Sequence, residues 1–244
     1  MTTSKADYGI DGPAIVRNLT IAGVIAIVVG IVGYVTAMPS RPVAGAVLSI
    51  VVFFLGVCML VKVGSMMRWS KYAKLRERER LIDALVLGGS EKVLDVGCGR
   101  GLVLNGAARR LPQGKAFGID LWRGADLSNN GPEAALSNAK AENVADRVEI
   151  QTADMRDLPF PDESMDAVIS SLAIHNVPGK DGRAKAIREI ARVLKSNGRI
   201  ALQDIFATRE HVETLRQLGW KDVKLSGPIF ENLPPLRIVT GRKP

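Results

Sequence analysis

Asp95, Gly97, Gly99 and Gly101 form the pattern D-x-G-x-G-x-G inside EKVLDVGCGRG, residues 91–101. Glycine at every second position lets a backbone turn sharply and approach a ligand with no Cβ in the way. Two more acids follow. Asp120 closes KAFGID, 21 residues beyond Gly99, and Asp154 follows RVEIQTA. The first of these spacings is close to that at which a carboxylate meets ribose hydroxyls in nucleotide-binding sheets. His175 and Asn176 come soon after MDAVISSL. They offer a group that can take a proton near neutral pH and a polar group that can orient a partner. Such residues suit the holding of a nucleotide-like cofactor against a second molecule.

These side chains need elements to position them. Residues 92–96 read as a short buried strand and residues 102–111 as a helix, with the glycines between. Strand, glycine loop and helix in that order cradle nucleotides in doubly wound sheets. A dinucleotide loop, G-x-G-x-x-G, wants glycine at position 102, where Leu102 stands, and this disfavours an NAD-linked reductase. Further strands are expected at 115–120, 147–151, 165–172, 199–205, 222–226 and 235–241. Helices are expected at 78–87 (ended by Gly88, Gly89 and Ser90), 132–142, 181–194 and 210–218. Strands alternating with helices predict an α/β fold with a doubly wound parallel sheet.

The leading acid, the hydrophobic strand and the glycine triplet resemble motif I of the class I S-adenosylmethionine (SAM) dependent methyltransferases. The resemblance covers residues 81–244 and implies a seven-stranded Rossmann-like sheet closed by an antiparallel pair. It implies SAM as cofactor, with Asp95, Gly97, Cys98, Gly99 and Gly101 around its methionine part. Asp120 would accept from the ribose hydroxyls, and Leu121 and Trp122 would cover one adenine face. Asp154 would accept from the adenine amino group, with Met155 beside the ring. Ser171, at the end of the fourth strand, would border the transferable methyl. His175 and Asn176 stand where many family members carry His-His or His-Trp, and are the candidate catalytic residues; His175 reads equally as a base or as a structural histidine capping the strand-to-helix turn. Ser170 and Ser171 are candidates to orient an acceptor, or to satisfy loop backbone. Asp204 is a candidate to line the acceptor side, or to cap a helix or stand as a surface acid. His211, at the start of a late helix, is expected at the surface.

The chain has 244 residues and two cysteines, Cys58 and Cys98, too few for a disulfide framework. Two histidines and no Cys/His cluster exclude a histidine-rich metal site, so no metal is expected. Net charge is +8, but residues 81–244 are nearly balanced. The excess sits in residues 62–80, with seven basic and two acidic residues beside an apolar stretch. That placement favours a membrane surface over nucleic acid.

Residues 19–38 and 43–61 are two uncharged runs of 20 and 19 residues, separated by Pro39, Ser40, Arg41 and Pro42. Each is long enough for a hydrocarbon core of ~30 Å. They predict a transmembrane hairpin at 19–61, after a tail at 1–18 and before a basic juxtamembrane helix or linker at 62–80. Ala22, Ala26 and Gly30, with Gly45 and Ser49, offer small faces for close helix packing. A signal peptide would have a shorter apolar core close behind a basic start. Basic residues flank the outer ends of both runs, which places the termini and the larger module in the cytoplasm. Trp69 and Tyr72 are expected as interfacial anchors.

The expected function is membrane-anchored transfer of a methyl group from SAM to a small or lipophilic acceptor. A protein or nucleic-acid acceptor is disfavoured, because no Asn/Asp-Pro-Pro-Tyr/Phe stands where Ser170, Ser171, Leu172 and Ala173 do. A SAM-binding membrane module without catalysis and, less favoured, the NAD-linked reductase remain as alternatives.

Overall fold

The computed structural model describes residues 6–37, 43–232 and 234–244. Two long helices come first, α1 (Pro13–Ala37) and α2 (Val43–Arg68). Both are long and apolar enough to cross a membrane, and few of their side chains are buried. They approach through small residues. A Cβ on Gly30 would lie 2.8 Å from the Ser49 carbonyl oxygen, and one on Gly56 would lie 2.7 Å from that of Gly23. Gly30 and Ser49 are therefore part of the expected small face. Ala22 faces outward, and Gly23 and Gly56 take the place expected for it. The turn expected at 39–42 lies outside the described residues.

The helix does not stop where the charges begin. It passes through one π-helical turn (Trp69–Ala73) into α3 (Lys74–Asp83). The inner face of this continuation buries Trp69, Ala73, Leu81 and Ile82, and Leu85 is buried just beyond its end. Apolar burial thus draws the segment onto the following domain, at ~25 cal/mol per Å². The basic stretch at 62–80 is accordingly no free linker. Lys74 and Arg78 are buried with it, facing Asp11 and Glu142. Trp69 is only 3% exposed, so it is not an interfacial anchor, whereas Tyr72 is 67% exposed. Within the tail expected at 1–18, residues 7–12 are bonded to the domain, and α1 begins six residues earlier than its uncharged run.

The domain is a seven-stranded sheet in the order β3-β2-β1-β4-β5-β7-β6. In chain order these are β1 (Lys92–Val96), β2 (Lys115–Asp120), β3 (Val148–Thr152), β4 (Met165–Ser171), β5 (Leu194–Asp204), β6 (Val223–Leu225) and β7 (Arg237–Arg242). The first five run parallel, and β7 lies antiparallel to both β5 and β6. Helices α4 (Leu102–Arg109), α5 (Pro132–Ala141), α6 (Lys180–Val193) and α7 (Thr208–Gln217) complete the fold. One core cluster joins α6 and α7 residues such as Ile187, Ile190 and Leu215 to the sheet. The other joins Leu81, Leu104, Ala108 and Ala139, from α3, α4 and α5, to the other face. Pairing of β5 begins at Leu194, five residues earlier than expected, and α6 ends at Val193. Helix α3 ends at Asp83 rather than 87, where Val86 takes a φ of 49°.

Candidate functional site

Asp95, Asp120 and Ser171 stand at or near the carboxyl ends of β1, β2 and β4, where open α/β sheets bind ligands. The loop from β1 to α4 carries positive φ at Gly97, Gly99 and Gly101, of 77°, 51° and 81°. A Cβ at Gly97 would lie 2.2 Å from the Ala173 Cβ, and one at Gly99 would lie 3.0 Å from Leu127 Cδ2. Sequence spacing suggested that glycine is needed here, and these distances supply the reason. Gly97 and Cys98 both donate their N–H to the Ile119 carbonyl, which ties the turn to β2.

The three acids of the pocket differ in their surroundings. Asp95 is 1% exposed, and neither carboxylate oxygen has a hydrogen-bond donor among the described residues. Burial pushes its pKa up to about 8, and the nearby Asp120 adds to the rise. The Leu104 N–H offsets part of it without meeting hydrogen-bond geometry. Asp120 accepts from Gly99 N at 2.9 Å, from Trp122 N at 2.6 Å and from Asn130 Nδ2 at 3.5 Å. Two carboxylate oxygens offer about four acceptor sites, so capacity remains for a hydroxyl. Asp154 is gripped by Arg156, with Nη2 2.6 Å from Oδ2. That hydrogen bond holds its carboxyl below the ordinary range.

One pocket brings together Asp95, Gly97, Cys98, Gly99, Asp120, Leu121, Asp154, Met155, Ser171 and Asn176. Gly101 shapes the loop as the residue before α4, without lining the pocket. Cys98 is buried, and burial holds its thiol well above its ordinary pKa, so it stands there as a small apolar group. Trp122, expected on an adenine face, does not line the pocket. Its indole donates to Thr152 Oγ1 at 2.7 Å and it packs against the core cluster under α4. A φ of 58° at Trp122 turns the chain there, which sequence spacing cannot show.

His175 is also outside the pocket lining. Its Nδ1 lies 2.5 Å from Oδ1 of Asp204, close enough for an ion pair but off the line of a ring N–H bond. Its backbone N–H donates to Asp204 Oδ2 at 3.0 Å. Asp204 is therefore a buried acid that braces the 174–176 turn, neither lining the pocket nor lying at the surface. His211, expected at the surface, is 1% exposed, and burial lowers its pKa. The reason is the inner face of α7, where Thr208, His211, Val212 and Leu215 recur at helical spacing and are all buried. That periodicity was present in the sequence.

Sequence reasoning missed a second wall. Tyr8, Asp11, Trp69 and Lys74 also line the pocket. Residues 7–12 form a strap laid along the loop after β2. Ile10 accepts from Ser128 N at 3.0 Å, and Gly12 N donates to Asp126 O at 2.9 Å. Arg100 ties strap to loop, donating to the Asp7 carboxylate at 2.8 Å and to the Ser128 and Asn129 carbonyls. Lys74 holds the strap from the other side through the Tyr8 and Gly9 carbonyls, both at 2.8 Å. No motif marks the strap, because each of these partners lies more than sixty positions away from it in the chain.

A family model described as a methyltransferase domain matches residues 94–202. Methyltransferase GfsG of Streptomyces halstedii is 35% identical over 130 residues, 53% of this chain and 43% of that protein. Demethylmenaquinone methyltransferase of Symbiobacterium thermophilum is 36% identical over 110 residues, 45% of this chain and 40% of that protein. The chain spans about half the length of the curated relatives it matches. Among solved structures, geranyl diphosphate C-methyltransferase of Streptomyces coelicolor, in complex with S-adenosyl-L-homocysteine, shares the fold. The TM-score is 0.57 at 15% identity, covering 69% of this chain and 79% of that one. The [4+2]-cyclase SpnF gives a TM-score of 0.60 at 20% identity, covering 72% and 82%. The match across the glycine loop and the first five strands, with the seven-stranded sheet, identifies the domain of this chain as a member of the class I SAM-dependent methyltransferases, with SAM as its cofactor.

Proposed function

We propose that this chain is an integral membrane methyltransferase that passes a methyl group from SAM to a small or lipophilic acceptor. In this reading both termini and the catalytic domain are cytoplasmic. The observation that carries it is Asp95, a buried carboxyl without a hydrogen-bond donor among the described residues, beside a glycine cradle that a Cβ would fill. An orphaned buried acid is costly unless something pairs with it. The ammonium of a methionine moiety suits it.

The remaining roles follow from position. Gly97, Cys98, Gly99 and Gly101 shape the turn against that moiety. Asp120 accepts from ribose hydroxyls, Leu121 lies on an adenine face, and Asp154 and Met155 meet the adenine edge. Ser171 and Asn176 face the acceptor side. Bound SAM supplies a methyl group activated by the adjoining sulfonium. The chain's own task is then to place acceptor and methyl in line and to exclude water. His175 braces a turn on Asp204, so this reading assigns it no proton transfer.

The membrane part rests on the two long apolar helices, whose outward faces carry Ile21, Val28, Val47, Phe54 and many like them. So large an apolar surface needs cover, and lipid provides it. Incubation of the full chain in membranes with methyl-labelled SAM and a lipid extract is the test. A labelled lipid-soluble product supports the proposal. The neighbour named as a [4+2]-cyclase keeps a reading without methyl transfer in view. SAM binding without label transfer to any acceptor fraction would favour that reading.

A further inference from the structure

Both apolar helices join the domain at one edge of the sheet. Leu172 and Ile205 directly follow the carboxyl ends of β4 and β5. Together with Ile229 and Leu236 they pack around Trp69, the first residue past α2. Glu231 pairs with Arg68, the last residue of α2, at 3.2 Å, and with Arg76 at 3.4 Å. Asp11, a lining residue of the pocket, stands two positions before the start of α1. The pocket mouth and both helix exits therefore lie together at the carboxyl edge.

Two large aromatic side chains stand out from that edge. Phe206, next to Ile205, is 57% exposed, and Phe230, next to Glu231, is 69% exposed. Single exposed apolar residues need no explanation. These two flank the point where the helix leaves the domain, and Lys71 and Tyr72 are exposed on the same turn. Aromatic side chains beside cations are the composition of a surface that rests in lipid headgroups. The opposite, amino edge carries Ser196 and Asn197, polar and exposed.

We propose that the carboxyl edge of the sheet lies on the bilayer surface, with Phe206 and Phe230 as its lipid contacts, so that the pocket receives its acceptor directly from lipid. The inference rests on the membrane anchoring proposed above and narrows the acceptor to a bilayer-dissolved class. It also moves the contact from the basic stretch as a whole, since Lys74 and Arg78 point inward.

The test uses the full chain in mixed anionic and zwitterionic vesicles. Phe206→Cys, Phe230→Cys, Ser196→Cys and Val35→Cys are each made in a Cys58→Ser background and given a small fluorophore. The background chain alone reports any labelling of the buried Cys98. Nitroxide lipids, labelled on headgroup or acyl chain, serve as quenchers. Headgroup nitroxide should remove most of the signal at 206 and 230 and little at 196, and acyl nitroxide should quench position 35. Quenching at 35 with 206 and 230 no more affected than 196 would overturn the proposal. If 206 and 230 are then also shielded from a water-soluble quencher, a protein rather than lipid covers the edge. Loss of quenching at 35 would remove the anchoring as well. None of these readings depends on methyl transfer, so a chain that contacts lipid but transfers no label refutes the activity alone.

Discussion

The ammonium of Lys74 lies 3.4 Å from the carboxylate of Asp11, joining the helix that continues one apolar segment to the strap that leads into the other. Lys74 is 4% exposed, and burial lowers its pKa while Asp11 opposes that shift. Both residues line the pocket. The membrane-length helices and the cofactor cradle are thus one piece of structure.

Lys74→Met should release the strap. Two hydrogen bonds to backbone carbonyls and a partly buried ion pair are lost, on the order of 2–4 kcal/mol between them. Protease cleavage within residues 7–12 should accelerate and SAM should dissociate faster. A variant with unchanged cleavage and unchanged dissociation would show that the strap holds without this knot.

Asp95 should make SAM binding pH-dependent. With its pKa at about 8, the free protein holds this carboxyl neutral at pH 7, whereas a bound ammonium favours the ionised form. Affinity should therefore climb from about pH 6 to 8, at up to about tenfold per unit. Calorimetry across that range is the check, and Asp95→Asn should bind more weakly with a flattened profile.

The same group and His211 should tilt the stability of the SAM-free protein in opposite directions. Asp95 is raised above its ordinary 3.8, so the folded chain keeps a proton that the unfolded chain releases. Its contribution falls as pH rises from about 4 towards 8. His211 is lowered below 6.5, so the unfolded chain takes the proton first, and stability falls as pH drops below about 6.5. Melting curves of Asp95→Asn and His211→Gln against pH should each lose one limb.

Asp120→Ala should weaken SAM binding by ~1.5–3 kcal/mol, the worth of a charged acceptor. Gly99 N and Trp122 N also lose their acceptor, so the melting temperature must be measured beside the affinity. Gly99→Val combines a positive φ with a Cβ 3.0 Å from Leu127 and should bind less SAM than Asp120→Ala. Affinity in Gly99→Val equal to that of the parent chain would contradict the cradle.

Thr3→Cys should react with a membrane-impermeant reagent only from the cytoplasmic side of intact cells, and Ser40→Cys only from outside. Both positions lie outside the described residues. Reaction of the first from outside would invert the hairpin.

The sequence by itself determined the order of strands and helices, the glycine loop and the acids at strand ends. These are local matters, in which backbone freedom, apolar periodicity and short spacings act within a few residues. The two apolar runs were legible for the same reason, since length and lack of charge are properties of a segment. Only the tertiary structure decided what the charged and aromatic residues near them do. Trp69 and Lys74 read as membrane-flanking residues until burial against Leu236 and the strap gave them inward partners. His175 read equally as a base or as a structural residue of the turn, and its contact with Asp204, 29 positions away, outside the pocket lining, favours the second. Asp95 lay in the motif from the start, but that no donor among the described residues meets hydrogen-bond geometry with it depends on what surrounds it in three dimensions. Side-chain partners are set by which distant elements share a face, and that is fixed only when the apolar faces of α3, α4 and the sheet are buried together.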